Sequence, residues 1–138
     1  MAATNSQLSL AQKLEASQNV LLGYMDALQS PSTNVSVLKL QLINFTESLV
    51  GHLQMQNEEF FRILEKNYLQ LKRDSQMSFF FQAQLKQLKV ELYTFMENYL
   101  ESQWTVKKRN FNQDLRNLID AVRGQIEVER AYMIPYCN

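Results

Sequence analysis

The sequence predicts an all-α fold, an antiparallel up-down-up-down four-helix bundle. Only three glycines and two prolines occur in 138 residues, so the chain is expected to form a small number of long elements. Apolar residues recur at alternating intervals of three and four, which is the spacing of helices that pack in a bundle. Short connections between such helices favour antiparallel neighbours. Residues 1–7 are expected to be a flexible leader and residues 8–138 a single domain.

The first helix is predicted over residues 8–29. Its inner stripe consists of Leu14, Leu21, Met25 and Leu28. Gln18 occupies the stripe position between Leu14 and Leu21, where an apolar residue is expected. Pro31 ends this helix, and Thr33 or Asn34 is expected to cap the next one.

The second helix is predicted over residues 35–69. Its stripe runs through Leu38, Leu42, Phe45, Leu49, His52, Gln56, Phe60 and Ile63. His52 and Gln56 therefore place two polar side chains on the buried face. A turn is predicted over residues 72–75, with Asp74 or Ser75 as the N-cap of the following helix.

The third helix is predicted over residues 76–103 and the fourth from Asn110 to a point at or before Pro135. The third has its inner stripe at Phe81, Leu85, Leu88, Leu92, Phe95 and Tyr99. The stripe of the fourth consists of Phe111, Leu115, Leu118, Val122, Gln125 and Glu129, and then Tyr132 or Met133. Asn110 and Gln113 are expected to form a capping box, and residues 104–109 a basic connection.

Two segments of the sequence match at a fixed offset of 73 residues. The matched positions are Asn44 and Asn117, Glu47 and Asp120, and Gly51 and Gly124. With the same offset, His52 falls on Gln125 and Gln56 on Glu129. Each segment thus carries a polar pair four residues apart on the inner face of a helix.

These positions define an inner polar cluster, made of Gln18, His52, Gln56, Gln125 and Glu129. Buried polar groups are costly unless they bind one another. We expect a hydrogen-bonded network that fixes helix register, in which His52 reaches Glu129 or one of the glutamines. His52, Glu129 and Glu59 are the candidate metal ligands, but they are too few for a tight dinuclear centre, so no metal and no cofactor are expected.

Catalysis, nucleic-acid binding and membrane insertion have little support in the sequence. The chain has no glycine-rich phosphate loop, and its only cysteine, Cys137, has no histidine near it in sequence. Fourteen basic and fourteen acidic residues balance, whereas phosphate binding needs a basic surplus. No apolar run is long enough for a membrane span. The expectation is a non-enzymatic cytoplasmic protein.

The inner polar positions resemble those of the hemerythrin-like (HHE cation-binding) four-helix bundles. In that family the first helix gives a histidine, matched here by Gln18. The second helix gives a histidine and a glutamate, matched by His52 and Gln56, and the last gives a histidine and an acidic residue, matched by Gln125 and Glu129. The resemblance implies this fold and an iron centre, and the replaced ligands imply that the metal site is degenerate.

A more distant resemblance is to the bacterial regulators of the housekeeping sigma factor, the Rsd and AlgQ proteins. It is carried by residues 43–53, which read Ile-Asn-Phe-Thr-Glu-Ser-Leu-Val-Gly-His-Leu. Those proteins are helical bundles that act by binding a partner. The resemblance implies a regulatory bacterial protein whose partner is another protein, with a component of the transcription machinery as the analogy.

Protein–protein binding is therefore the first functional hypothesis. The candidate partner surface consists of aromatic residues, which make good anchors where they are exposed: Phe79, Phe80, Trp104 and Tyr136. Core packing is the more common fate of an aromatic residue at helical spacing. One alternative is a metal or oxygen sensor with a reduced site at His52 and Glu129. Another is a small secretion or export chaperone, a class that often dimerises through apolar helix faces.

Overall fold

The computed structural model describes residues 9–70, 76–101 and 110–137, and within these ranges the chain is helical, without a strand. The all-α prediction is confirmed. The described residues form five α-helices: α1 (Leu10–Leu28), α2 (Val35–Gln54), α3 (Glu58–Gln70), α4 (Gln76–Met96) and α5 (Phe111–Val128). α1 packs against α2, and α4 packs against α2, α3 and α5. None of the described helices combines the length and apolar composition that crossing a membrane requires.

The predicted second helix is wrong in one respect, because residues 35–69 form two helices. α2 ends at Gln54, and α3 begins at Glu58. Asn57 explains the break, since its side-chain oxygen accepts a hydrogen bond from the backbone N–H of Phe60 at 3.0 Å and so starts a new helix. The break also changes the buried face, so that Phe60, Phe61 and Leu64 are buried in α3 while the predicted Ile63 is only half-buried.

The predicted cap of α2 is confirmed, the predicted cap of α5 is wrong, and α1 has a capping box that was not predicted. Ser9 and Gln12 form a capping box on α1, with bonds of 3.1 and 2.9 Å. Asn34, rather than Thr33, caps α2 by accepting a hydrogen bond from a backbone N–H at 3.2 Å. The predicted capping box at Asn110 is wrong, because its side chain makes no cap bond.

The Gln113 side chain donates to Asn117 at 2.8 Å instead of reaching back to the start of the helix. The predicted leader, the turn at 72–75 with its candidate caps Asp74 and Ser75, and the connection at 104–109 lie outside the described residues.

α4 and α5 each end in a turn that is wider than a turn of α-helix. A π turn follows α4 at Glu97–Glu101, and another follows α5 at Glu129–Met133. A short 3₁₀ turn, Ile134–Tyr136, then contains Pro135. The α-helix therefore ends before Pro135, as predicted, although helical backbone continues through it. Met133 takes the buried position at this end, and Tyr132 is exposed.

The predicted inner stripes form one apolar core. The fully buried members with the largest side chains include Phe45 on α2, Phe81 and Leu92 on α4, and Leu118 on α5. Phe95, Tyr99 and Phe111 stack with ring centroids 4.9 to 6.3 Å apart, which joins α4 and its π turn to α5. This apolar packing holds the helices that carry the inner polar cluster.

Candidate functional site: the buried polar cluster

The structure brings all five residues of the inner polar cluster together. Gln18 comes from α1, His52 from the last turn of α2, and Gln56 from the connection before α3. Gln125 lies on α5, and Glu129 is the first residue of the π turn that follows. All five side chains are buried, and Glu129 has no exposed surface. The helical stripe thus placed these residues correctly even where the helix itself is broken.

The Glu129 carboxylate is the centre of the cluster. Gln18 Nε2 donates to Oε1 at 2.8 Å, and Gln56 and Gln125 donate through Nε2 to Oε2 at 2.8 and 3.0 Å. His52 Nε2 lies 2.9 Å from both carboxylate oxygens. The predicted hydrogen bond between His52 and Glu129 is present. Four N–H donors aimed at two oxygens suit an ionised carboxylate, which accepts only and has about four lone-pair sites.

His52 is held on both sides of its ring. Nε2 faces Glu129, and Nδ1 lies 2.8 Å from the hydroxyl oxygen of Ser17. A serine hydroxyl can donate to a neutral imidazole or accept from a charged one, so Ser17 satisfies His52 in either protonation state. The stripe pattern missed Ser17, because it lies one position before Gln18 and off the apolar face. The sequence feature that could have indicated Ser17 is its hydroxyl, which lies next to Gln18, a polar residue on the buried stripe.

A second layer of contacts fixes the glutamine amides. Arg130 Nε donates to Gln18 Oε1 at 2.9 Å, and Gln125 Nε2 lies 3.4 Å from Gln56 Oε1. Because the amide oxygens of Gln18 and Gln56 accept these bonds, their N–H groups point at Glu129. The Arg130 guanidinium thus lies one amide away from the buried carboxylate. Arg130 was not predicted, since it lies outside the inner stripe.

Cys137 packs close enough to the cluster to experience its charge. The thiol is buried and donates to the carbonyl of Met133 at 3.1 Å. Burial, and after it the negative charge of Glu129, raises the pKa of the Cys137 thiol from 9.0 to about 11. Because the thiolate is the nucleophile, a thiol with this pKa is unreactive at neutral pH.

The donor set does not fit a hemerythrin-like metal centre. The cluster offers one imidazole and one carboxylate, and the remaining positions present amide N–H groups that would face a cation with their positive ends. Glu59, the third candidate ligand, is exposed in the first turn of α3. Among the described residues, no group of three histidine, cysteine, aspartate or glutamate side chains is placed to hold a metal ion.

The residues of the candidate partner surface have different environments. Phe79 and Phe80 at the start of α4 are 80% and 52% exposed, whereas their neighbour Phe81 is buried. Tyr136 is half-buried against the core, and its carbonyl accepts a hydrogen bond from Asn67. Trp104 lies outside the described residues. Only the two phenylalanines are therefore shown to be open to solvent.

Phe79 borders a groove between α3 and α4. The groove encloses about 680 Å³, and its floor includes the buried ring of Phe61. Glu58 on one wall and Lys89 on the other give it charges of both signs. An exposed aromatic ring beside an apolar floor is typical of a surface that binds another macromolecule.

Comparison of the chain with family models, with curated proteins and with solved structures gave no match.

Proposed function

We propose that this chain is a non-enzymatic regulatory protein of the cytoplasm that acts by binding another protein. The observation that carries the proposal is the exposure of Phe79 and Phe80, at 80% and 52%, beside the groove between α3 and α4. Leaving two large aromatic rings in water forgoes hydrophobic stabilisation, and a partner that covers them recovers it.

The buried polar cluster supports the same proposal by a separate argument. Its carboxylate, its imidazole and its three amides all bind one another, so their hydrogen-bonding capacity is used within the fold. The cluster therefore acts as a structural device that sets how α1, α2 and α5 pack, and it favours neither the reduced metal site nor a catalytic role. Recognition then depends on the surface.

The chemistry of the groove defines the partner that it fits. Its floor is apolar at Phe61, its rim carries Phe79, and its walls carry Glu58 and Lys89. A helix or extended segment of another protein, with an apolar side chain for the floor and polar side chains for the walls, satisfies all of these groups. A transcription-machinery component is the candidate by the resemblance to the sigma-factor regulators.

The test is a pulldown with the wild-type chain and a variant that carries Phe79→Ser and Phe80→Ser. We expect the wild type to recover one stoichiometric partner, identified by mass spectrometry, and the variant to lose it. Removing an aromatic anchor costs about 2 kcal/mol or more of binding free energy, close to thirtyfold in Kd. Rebinding of the purified partner measures that loss directly.

Leu40→Ser is the matched control, because Leu40 on α2 is 58% exposed and lies outside the groove. That variant should bind as the wild type does. The proposal is wrong when the wild type recovers no stoichiometric partner, or when the double variant and the control bind equally.

A further inference from the structure

The outward face of α4 carries a second apolar stripe, on the side of the helix opposite to the core. The core-facing stripe runs through Phe81, Leu85, Leu88, Leu92 and Phe95, all of them buried. The outward stripe runs through Phe79, Ala83, Lys86, Val90 and Tyr93 on α4 and through Glu97, the first residue of the π turn that follows, all of them exposed. Val90 and Tyr93 are 52% and 54% exposed. Intervals that alternate four and three mark the seam of a helix that packs against another helix.

The central part of this outward stripe has a self-complementary pattern. Lys86, Val90, Tyr93 and Glu97 follow one another at intervals of four, three and four. The spacing reads the same in both directions. When two such helices pair antiparallel about a two-fold axis between Val90 and Tyr93, Val90 of each copy meets Tyr93 of the other. Lys86 of each copy then meets Glu97 of the other.

We propose that the outward face of α4 is an interface between two copies of this chain. A two-fold contact uses the same patch on both subunits, so a patch that carries both partners of each contact is what such an interface needs. The pairing gives two contacts between a valine and a tyrosine and two ion pairs at their edges. Helices with this seam spacing pack at a crossing angle of about 20°.

The charges of this face favour a second copy over a uniformly charged occupant. Lys86 and Glu97 are exposed, and neither forms an ion pair with any other described residue. They lie on the same face, eleven residues apart, with opposite charges. A uniformly acidic or uniformly basic helix would satisfy one of them and repel the other, whereas an antiparallel copy of α4 satisfies both.

The centre of the dimer interface is distinct from the aromatic part of the surface proposed to bind another protein. Phe79 lies more than three helical turns from the proposed two-fold axis, at the end of the stripe. Lys86 lines the groove as well as the proposed interface, so the two surfaces adjoin at that residue, whereas Glu97 belongs to the interface alone. This inference goes beyond the proposed function and does not rest on it, so the two can fail independently.

The test is sedimentation equilibrium of the full chain, as wild type and with Lys86→Glu or Glu97→Lys. We expect the wild type to dimerise with a Kd in the micromolar range, because one helix face is a small interface. Each single reversal places two like-charged pairs across the axis and should weaken the dimer by about tenfold or more.

The decisive experiment is to mix the Lys86→Glu and Glu97→Lys variants. One copy then carries glutamate at both positions and the other carries lysine at both, so every pair across the axis is again of opposite sign. The mixture should form a one-to-one heterodimer with nearly wild-type affinity. Lys39→Glu is the matched control, since Lys39 is an exposed lysine on α2, and that variant should dimerise as the wild type does.

Three results would overturn the inference. The first is that the wild type stays monomeric up to about 1 mM, where only very weak association remains. The second is that the single reversals leave the Kd unchanged. The third is that the mixture of the two variants stays monomeric. The variant with Phe79→Ser and Phe80→Ser should keep the dimer while losing the other partner. Loss of one property with retention of the other separates the two proposals.

Discussion

Two regions of the interior are equally buried and are held together by different physics. In the apolar region, Leu42 on α2 and Leu92 on α4 have no exposed surface and pack against other hydrocarbon side chains. In the polar region, Gln18 and Glu129 are also without exposed surface. Here hydrogen bonds of 2.8 to 3.0 Å connect the glutamine amides to the Glu129 carboxylate. Apolar contacts are non-directional and numerous, whereas His52 and the three glutamines of the polar region all contact one acceptor, Glu129.

This difference predicts which region of the fold accepts substitutions and which region requires its particular side chains. An apolar neighbour can shift to fill a changed volume, at a cost that depends on how well the site collapses. A hydrogen-bond donor buried without its acceptor cannot recover the bond by shifting, because no water reaches it. The apolar region therefore supplies most of the stability, and the polar region determines which arrangement of α1, α2 and α5 is stable.

The largest effect is expected from Glu129→Ala. Removal of the acceptor leaves His52 and the three glutamines without their common partner and opens a cavity, so the free energy of unfolding should fall by about 3–5 kcal/mol. Urea denaturation monitored by circular dichroism measures the change. Glu127→Ala, at an exposed position of the same helix, should change stability by less than about 0.5 kcal/mol. Equal effects of the two substitutions would contradict a central role for Glu129.

A double-mutant cycle sharpens this result. His52→Ala and Glu129→Ala remove the two ends of one contact, so the double variant should be more stable than the sum of the single effects implies. Coupling energies between contacting residues are about 0.5–3 kcal/mol. Additive effects would show that the two side chains are adjacent without interacting.

The second effect concerns Leu92 in the apolar region. Leu92→Ala should lower the free energy of unfolding by about 3 kcal/mol, through lost burial and the cavity it leaves. Leu92→Met keeps the volume and should cost less than about 1.5 kcal/mol. Glu129→Gln keeps the shape as closely but turns an acceptor into a donor, and should cost more than Leu92→Met. If Leu92→Met lowers the free energy of unfolding more than Glu129→Gln in the same urea titrations, the proposed difference between the two regions is wrong.

The smallest effect is a dependence of stability on alkaline pH. The pKa of the Cys137 thiol is raised to about 11 in the folded chain, so above pH 9.0 the unfolded chain loses a proton that the folded chain keeps. The contribution is fully present below pH 9.0, and stability falls as the pH rises towards 11, by at most about 1.4 kcal/mol per pH unit.

Cys137→Ser removes this contribution, so its stability should decline less steeply over the same interval when both proteins are titrated with urea. Tyr99 donates to Asp114 at 2.6 Å, and burial followed by this bond raises its pKa to about 12. That dependence is present in both proteins and cancels in the difference. Parallel curves for the wild type and the variant would show that Cys137 does not titrate in the folded chain as proposed.

The polar cluster could be predicted because its members share a periodic stripe. His52 and Glu129 were each found from a break in an apolar stripe, and burial of both polar groups required that they have partners. Ser17 and Arg130 could not be found in this way, since they lie off the stripe and join the cluster only because helices from different parts of the chain meet. The helix break at Asn57 was missed because its stripe residues continue on either side of it.

The all-helical fold and the five residues of the inner polar cluster could be predicted from the amino-acid sequence. Both follow from local periodicity, because a residue's position on a helix fixes whether it faces the core. Three features became visible only in the folded chain. Glu129 is the common acceptor, Ser17 and Arg130 complete the network, and Phe79 is exposed while Phe81 is buried. These features depend on which helices pack together and at what rotation, and contacts between residues more than a hundred positions apart, such as Gln18 and Glu129, leave no periodic signal in the chain.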